Sequence, residues 1–273
     1  MKVVLFCGGA GMRLRGYSDD VPKPMVNIGS RPLLWHLMKY YAHFGHKDFV
    51  LCLGHKGSAI KEYFLNYDES ASNDFVWSNG GKKIQLMNRD IDDWTITFVE
   101  TGANATIGER LKAVEPYLEG EEVFLANYGD GLSDLPLPTM FEVFKQSNAI
   151  ASLLLVQPTA SFDIVTAGAE GIVKQVSPLT RSNIWINGGF FILRQEIFQY
   201  IHPGDELVRE PFRRLIDQRA LHAYKYGGFW QCMDTFKDKQ QLEELNQTTA
   251  PWKVWKCSAA AGRGIGDLVT AAI

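Results

Sequence analysis

Short apolar runs alternate with amphipathic stretches through the first half of the chain. Lys2–Cys7 is an apolar run that stops at Gly8-Gly9, the pattern of a strand buried on both faces. Arg31–Phe44 places Leu34, Leu37, Met38, Tyr41 and Phe44 at helical spacing, with Pro32 in its first turn. Asp48–Leu53 reads as a second buried strand, Lys56–Leu65 as a helix and Thr95–Glu100 as a strand. Gly108–Leu118 is helical with Pro116 near its end, Glu122–Asn127 is a strand running into Gly129-Asp130-Gly131, Leu137–Gln146 is a helix and Ile150–Val156 a strand. This β-α order predicts an open α/β sheet with helices on both faces.

The second half is less regular. Ile164–Ala167 and Ile172–Val176 flank Gly168-Ala169-Glu170-Gly171 and predict a hairpin. The stretch from Trp185 to Leu193 is strand-like, while Glu206–Arg219 and Phe236–Leu245 read as helices. Residues 67–94 are polar and lack a clear period, with a turn at Asn79-Gly80-Gly81. Ser258–Ile273 shows no partner for its small residues and carries no functional argument.

Composition narrows the class. Apolar residues make up 46% and charged residues 22% of 273, which is ordinary for a globular chain. The most apolar stretch, Ala149 to Val156, falls far short of the roughly 20 residues of a membrane helix. A net charge of −3 gives no bulk attraction to nucleic acid or anionic membrane, so neither is expected as a partner. Cys7, Cys52, Cys232 and Cys257 lie far apart, without zinc-type or C-x-x-C spacing. They read as reduced thiols of a cytoplasmic protein.

Candidate chemistry begins where the first strand ends. In Gly8-Gly9-Ala10-Gly11-Met12-Arg13-Leu14, glycines let the backbone approach a ligand and present amides to anionic oxygens. Arg13 adds a guanidinium suited to phosphate. A dinucleotide fingerprint would need a third glycine at Leu14, and neither a P-loop nor a G-x-S-x-G elbow occurs. Downstream, Pro22 and Pro24 fix the backbone on both sides of Lys23, which orients a cation in advance of a triphosphate.

With Gly-Gly-x-Gly-x-Arg-Leu followed by Pro-Lys-Pro, the chain resembles the sugar-1-phosphate nucleotidylyltransferases, and within them the cytidylyl branch acting on glucose 1-phosphate. Further matching strings are Leu34-Trp35-His36-Leu37-Met38-Lys39, Tyr128-Gly129-Asp130-Gly131, Trp185-Ile186-Asn187-Gly188-Gly189-Phe190-Phe191 and Gly228-Phe229-Trp230 with Met233-Asp234-Thr235. The likeness is collinear over residues 1–256.

The resemblance implies a Rossmann-like open mixed sheet flanked by helices, the nucleotide-diphospho-sugar transferase fold, with a smaller sugar-binding portion. Residues 1–256 would form one domain, 1–135 mainly nucleotide-binding and 136–256 mainly sugar-binding, followed by a tail at 257–273. It implies transfer from a nucleoside triphosphate, CTP in the matching branch, to a sugar 1-phosphate, with release of pyrophosphate and no enzyme nucleophile. Lys23, Arg13 and Asp130 would be catalytic. Phe6, Gly8, Gly9, Ala10, Gly11, Met12, Arg13, Lys23, Arg110 and Gly129 would bind nucleotide, and Asn187, Gly188 and Trp230 would bind sugar. Asp130 and Asp234 would hold Mg²⁺, which takes one or two carboxylates and fills its remaining positions with phosphate oxygens and water. A homo-oligomer is also implied.

Four departures from the family pattern bear on specificity. Met12 replaces the usual threonine, and Gly108-Glu109-Arg110 replaces Gly-Gly-Arg, with Ala105 where a hydroxyl residue is common. Val176-Ser177-Pro178 replaces the Glu-Lys-Pro that meets the sugar phosphate, and Phe162-Asp163 replaces Phe-Gly. Lys174 and Arg181 are candidates to restore the missing cation. The alternatives are the same chemistry with another base or with a modified sugar or cyclitol phosphate, and a catalytically silent nucleotide-sugar-binding regulator.

Overall fold

Val3–Phe6 (β1) pairs in parallel with Asp48–Leu53 (β2) on one side and with Val123–Tyr128 (β4) on the other, so the strand order reverses at β1. The computed structural model describes residues 1–9, 21–87, 90–159 and 162–256. Thr95–Glu100 (β3) adds in parallel to β2. Ile186–Arg194 (β6) lies antiparallel to β4 and to Ala151–Val156 (β5), and Leu221–Tyr226 (β7) closes the far edge parallel to β5. The sheet order is therefore β7-β5-β6-β4-β1-β2-β3, a mixed sheet of seven strands.

Alternation along the strands builds two cores. Val3 and Leu5 join one, Val4 and Phe6 the other; Phe49 and Leu51 oppose Val50 and Cys52 in the same way. Leu33–His43 (α1), Gly57–Leu65 (α2), Leu137–Gln146 (α4) and Phe236–Gln247 (α6) pack residues against the first core. Ile107–Ala113 (α3) and Glu210–Asp217 (α5) cover the second through Leu111, Phe212 and Leu215. Helix α1 has no side-chain cap, yet Leu33, Leu34, Leu37, Met38, Tyr40 and Tyr41 are all buried. A cap contributes about 1 kcal/mol and one buried leucine about 1.5–3, so packing decides this helix.

Most elements fall where the sequence predicts them, including the hairpin, whose strands are Asp163–Ala167 and Val173–Pro178. The differences have local causes. The 108–118 helix breaks at Val114 into α3 and a 3-10 turn over Glu115–Leu118, because Pro116 cannot continue α-helical bonding. The 206–219 helix shortens to Glu210–Asp217, with Pro211 in its first turn. Edge strand β7 is half-polar and was not predicted. In the 67–94 region, Phe75–Ser78 and Lys83–Leu86 form an antiparallel ribbon around the predicted turn. Among the described residues, no helix is long and apolar enough to cross a membrane.

Candidate active site

Ligand sites in open α/β sheets lie outside the carboxyl ends of strands at the order reversal. Here those ends are Phe6, leading to Cys7–Gly9, and Tyr128, leading to Gly129-Asp130. A cavity of about 350 Å³ opens between them, lined by Phe6, Gly9, Lys23, Tyr128, Asp130 and Asp234 among others.

Lys23 opens a 3-10 turn that follows extended Pro22 and contains Pro24, with Met25 N–H bonded to the Pro22 carbonyl at 2.8 Å. Its ammonium bridges two carboxylates: Nζ donates to Asp130 Oδ2 at 2.7 Å and to Asp234 Oδ1 at 2.5 Å. Burial would depress this ammonium, but the two aspartates raise its pKa above the ordinary lysine value. Lys23 is therefore charged throughout the neutral range.

The aspartates, about a hundred residues apart in sequence, meet through a short ribbon. Gly131–Ser133 pairs antiparallel with Trp230–Cys232, and the amide of Met233 bonds to the carbonyl of Asp130 at 2.9 Å. Asp234 then sits just before α6. Asp238, three residues after Thr235, accepts from the amides of Asp234 and Thr235 at 3.0 and 2.7 Å and from the Thr235 hydroxyl at 2.9 Å. Thr235 returns a side-chain cap to the Asp238 amide, completing a capping box.

Two carboxylates around one ammonium leave net negative charge at a half-exposed site. Carboxylate oxygens suit a hard divalent cation such as Mg²⁺. Among the described residues no third histidine, cysteine or acid completes an all-protein metal cluster. Asp130 and Asp234 thus fit an ion that takes its other ligands from phosphate and water.

The glycine positions have distinct tasks. A Cβ at Gly129 would lie 2.9 Å from the Phe6 carbonyl oxygen, so the turn closes on the strand end only without a side chain. Among the described residues, nothing lies within 4 Å of the Cβ position of Gly9. Below Gly8 lies Arg110, 2% exposed, whose guanidinium donates to the carbonyls of Gly8, Leu53 and Ala103 and to the Thr101 hydroxyl. In this structure Arg110 ties Gly8 to Leu53 at the end of β2 from beneath. Ala10, Gly11, Met12 and Arg13 lie outside the described residues.

On the acceptor side, Asn187 Oδ1 accepts from the Gly189 amide at 2.9 Å, and its Nδ2 donates to the Tyr128 hydroxyl at 3.4 Å. Gly189 needs its φ of +76°, and a Cβ there would meet the Tyr128 ring at 2.6 Å. Trp230 is 8% exposed and donates its indole N–H to the Gly188 carbonyl at 2.8 Å. Trp230 and Gly188 therefore pin the aspartate ribbon to β6. Ser177 pairs with Ile164 in the hairpin, and Lys174 folds over Gly168 at the hairpin turn. The Arg181 side chain lies outside the described atoms.

Sequence reasoning missed Cys7, Pro24, Ile107 and Tyr128 as cavity lining. Nothing in an apolar or proline residue signals this. Asp238 was legible, since Thr235-x-x-Asp238 before a helix is a capping pattern. Burial pushes the Cys7 and Cys232 thiols up to about 12, so neither supplies a thiolate nucleophile at neutral pH.

Residues 2–235 match the nucleotidyl transferase family model. A glucose-1-phosphate cytidylyltransferase of Salmonella typhimurium is 37% identical over 258 residues, covering 94% of this chain and all of the relative. In fold, the chain is similar to a UDP-glucose pyrophosphorylase solved with UDP-glucose, at a TM-score of 0.65 and 16% identity, over 90% of this chain and 98% of the other. It is also similar to HddC of Yersinia pseudotuberculosis solved with GMP-PN, at a TM-score of 0.60 and 20% identity, over 89% and 98%. With a paired-aspartate lysine at the reversal of a mixed α/β sheet and a family match over most of its length, the chain belongs to the nucleotidyl transferase family and is a sugar-1-phosphate nucleotidylyltransferase.

Proposed function

We propose that the enzyme transfers the cytidylyl group of CTP to a sugar 1-phosphate, glucose 1-phosphate or a close relative, giving a CDP-sugar and pyrophosphate. The observation that carries this reading is the Lys23 ammonium held between Asp130 and Asp234 at the cavity mouth. The likeness to the Salmonella enzyme supports the choice of base and acceptor.

In this reaction an oxygen of the sugar phosphate attacks the α-phosphorus as the bond to the bridging oxygen of the β-phosphate breaks. Such transfer is governed by positioning and charge stabilisation. Lys23, charged and fixed by its prolines, neutralises negative charge on the triphosphate and on departing pyrophosphate. Gly8, Gly9 and Gly11 give the nucleotide close approach to the backbone, and Arg13 shares the phosphate charge. Mg²⁺, when bound by Asp130 and Asp234, supplies Lewis-acid charge to phosphate oxygens. Asn187 presents an amide to sugar hydroxyls. The same reading includes a cytoplasmic enzyme and self-association; the exposed side chains of Phe75, Trp77 and Ile84 on one ribbon support the latter.

A second reading, the same transfer to a modified sugar phosphate, is favoured by Ser177 in place of a lysine. Pyrophosphate release from each of five nucleoside triphosphates against a panel of sugar 1-phosphates, with and without Mg²⁺, tests both. Fastest release with CTP and glucose 1-phosphate supports the first. Release only with other acceptors selects the second, and no release with any pair rejects both.

A further inference from the structure

Lys225, near the end of edge strand β7, is a cation that the proposed chemistry leaves unused. It is exposed, and its Nζ stands 5.1 Å from the centroid of the Trp185 ring. Among the described residues no carboxylate lies within ion-pair distance of it. Lys23, by contrast, is neutralised by two.

Strand register fixes where Lys225 stands. It pairs with Leu155 on β5, and Leu155 pairs with Asn187 on β6. Cross-strand partners point to the same face, so Lys225, Leu155 and Asn187 form one row on one face. Asn187 in turn donates to Tyr128, which lines the cavity. Two strand spacings, about 10 Å, separate the backbones of Lys225 and Asn187. A flexible four-carbon stem spans much of that gap. Asp130 and Lys23 lie beyond β6, at the end of β4, so the two lysines bracket Asn187 from opposite sides.

The other candidates for a cation on this side are poorly placed or undescribed. Ser177 is uncharged, and Lys174 lies at the hairpin turn over Gly168. A lysine without a carboxylate, beside an aromatic ring and in line with the acceptor amide, is arranged to receive an anion. Its position beyond Asn187 is too far from the Lys23 cluster for the phosphate under transfer.

We infer that Lys225 is the acceptor-selecting cation of this enzyme, and that the acceptor carries a carboxylate at the end remote from its reacting phosphate. This rests on the second reading of the proposed function, transfer to a modified sugar phosphate, and narrows that acceptor's class.

The test is calorimetric titration of the full chain with glucuronic acid 1-phosphate and with glucose 1-phosphate, in the presence of a non-hydrolysable CTP analogue. Wild type, Lys225→Met and Lys225→Arg are compared. Wild type should bind the uronate at least about tenfold more tightly, the gain expected of one charge-assisted contact. Lys225→Met should abolish that gap while changing affinity for glucose 1-phosphate and for the CTP analogue by less than about twofold. Lys225→Arg should keep the gap. A wild type without the gap, or a gap that survives in Lys225→Met, overturns the inference. Pyrophosphate release from CTP is measured separately. Its absence beside an intact, Lys225-dependent gap would reject the proposed reaction and leave the anion site standing.

Discussion

The amide of Met233 donates to the carbonyl oxygen of Asp130 at 2.9 Å, and this one backbone bond carries Asp234 to the side of Asp130. The ladder from Gly131 to Cys232 continues the same pairing. Two carboxylates so close would repel; Lys23 between them relieves that and leaves one net negative charge for a divalent cation. Asp130→Asn and Asp234→Asn keep the side-chain shape and remove the charge. Each should raise the Mg²⁺ concentration for half-maximal turnover by about tenfold or more. Metal titrations of activity and of Mn²⁺ binding check this, and unchanged half-saturation in both variants would contradict the paired site.

Lys23→Ala removes the preorganised ammonium and leaves Asp130 and Asp234 facing one another. A single charge-stabilising group of this kind is commonly worth about 10²-fold in kcat. Steady-state rates at saturating CTP, acceptor and Mg²⁺ should show that loss. A rate within about twofold of wild type would remove Lys23 from the catalytic set.

Asp238 tests whether the start of α6 positions Asp234. All three of its short bonds end on one oxygen, Oδ2. Asp238→Asn retains an acceptor oxygen, whereas Asp238→Ala removes it. The alanine variant should lose about 1 kcal/mol of stability and bind Mn²⁺ more weakly, and the asparagine variant should largely recover both. Denaturation midpoints together with metal binding separate the two effects. A stability loss with unaltered metal affinity would confine Asp238 to capping.

Much of this arrangement was legible in the chain. Gly8 and Gly9 after Lys2–Cys7, the prolines around Lys23 and the Gly-Asp-Gly turn at 129–131 are local signals with local causes, and each of these lies at the sheet's carboxyl edge by the cavity. What stayed hidden was long-range. No periodicity announces the three-residue strands at 131–133 and 230–232, because such short pairing is stabilised by the tertiary frame rather than by propensity. The same holds for the four acceptors of Arg110, which come from Gly8, Leu53, Thr101 and Ala103 on separate segments. Edge strand β7 gives no clear apolar run because His222 and Lys225 interrupt Leu221–Tyr226.

Gly8→Ala probes that support. A Cβ at this position would lie 2.0 Å from Arg110 Nη1, and the guanidinium is too fully bonded to retreat. Overpacking of this kind costs about 1–3 kcal/mol. The variant should melt earlier and raise the KM for the nucleoside triphosphate more than that for the acceptor. Equal effects on the two substrates would show that the loop and Arg110 are not coupled.

His36 gives the fold a pH dependence whose sign follows from its bonds. The ring is 2% exposed in α1, with Nε2 2.9 Å from the Ile28 carbonyl and Nδ1 3.3 Å from the indole nitrogen of Trp252. A carbonyl only accepts and an indole N–H only donates, so Nε2 carries the proton and Nδ1 must stay bare. Burial accordingly lowers the pKa to about 4 from the ordinary 6.5. Because the folded value lies below the unfolded one, the stabilisation is full above about pH 6.5. It shrinks as pH falls from there and is gone below about pH 4. The loss is on the order of 3 kcal/mol across that window. Urea denaturation of wild type and His36→Gln between pH 7.5 and pH 4 would measure it. Wild type should start more stable and lose more on acidification, so that the two curves converge. Parallel curves would show that His36 is not the group that titrates.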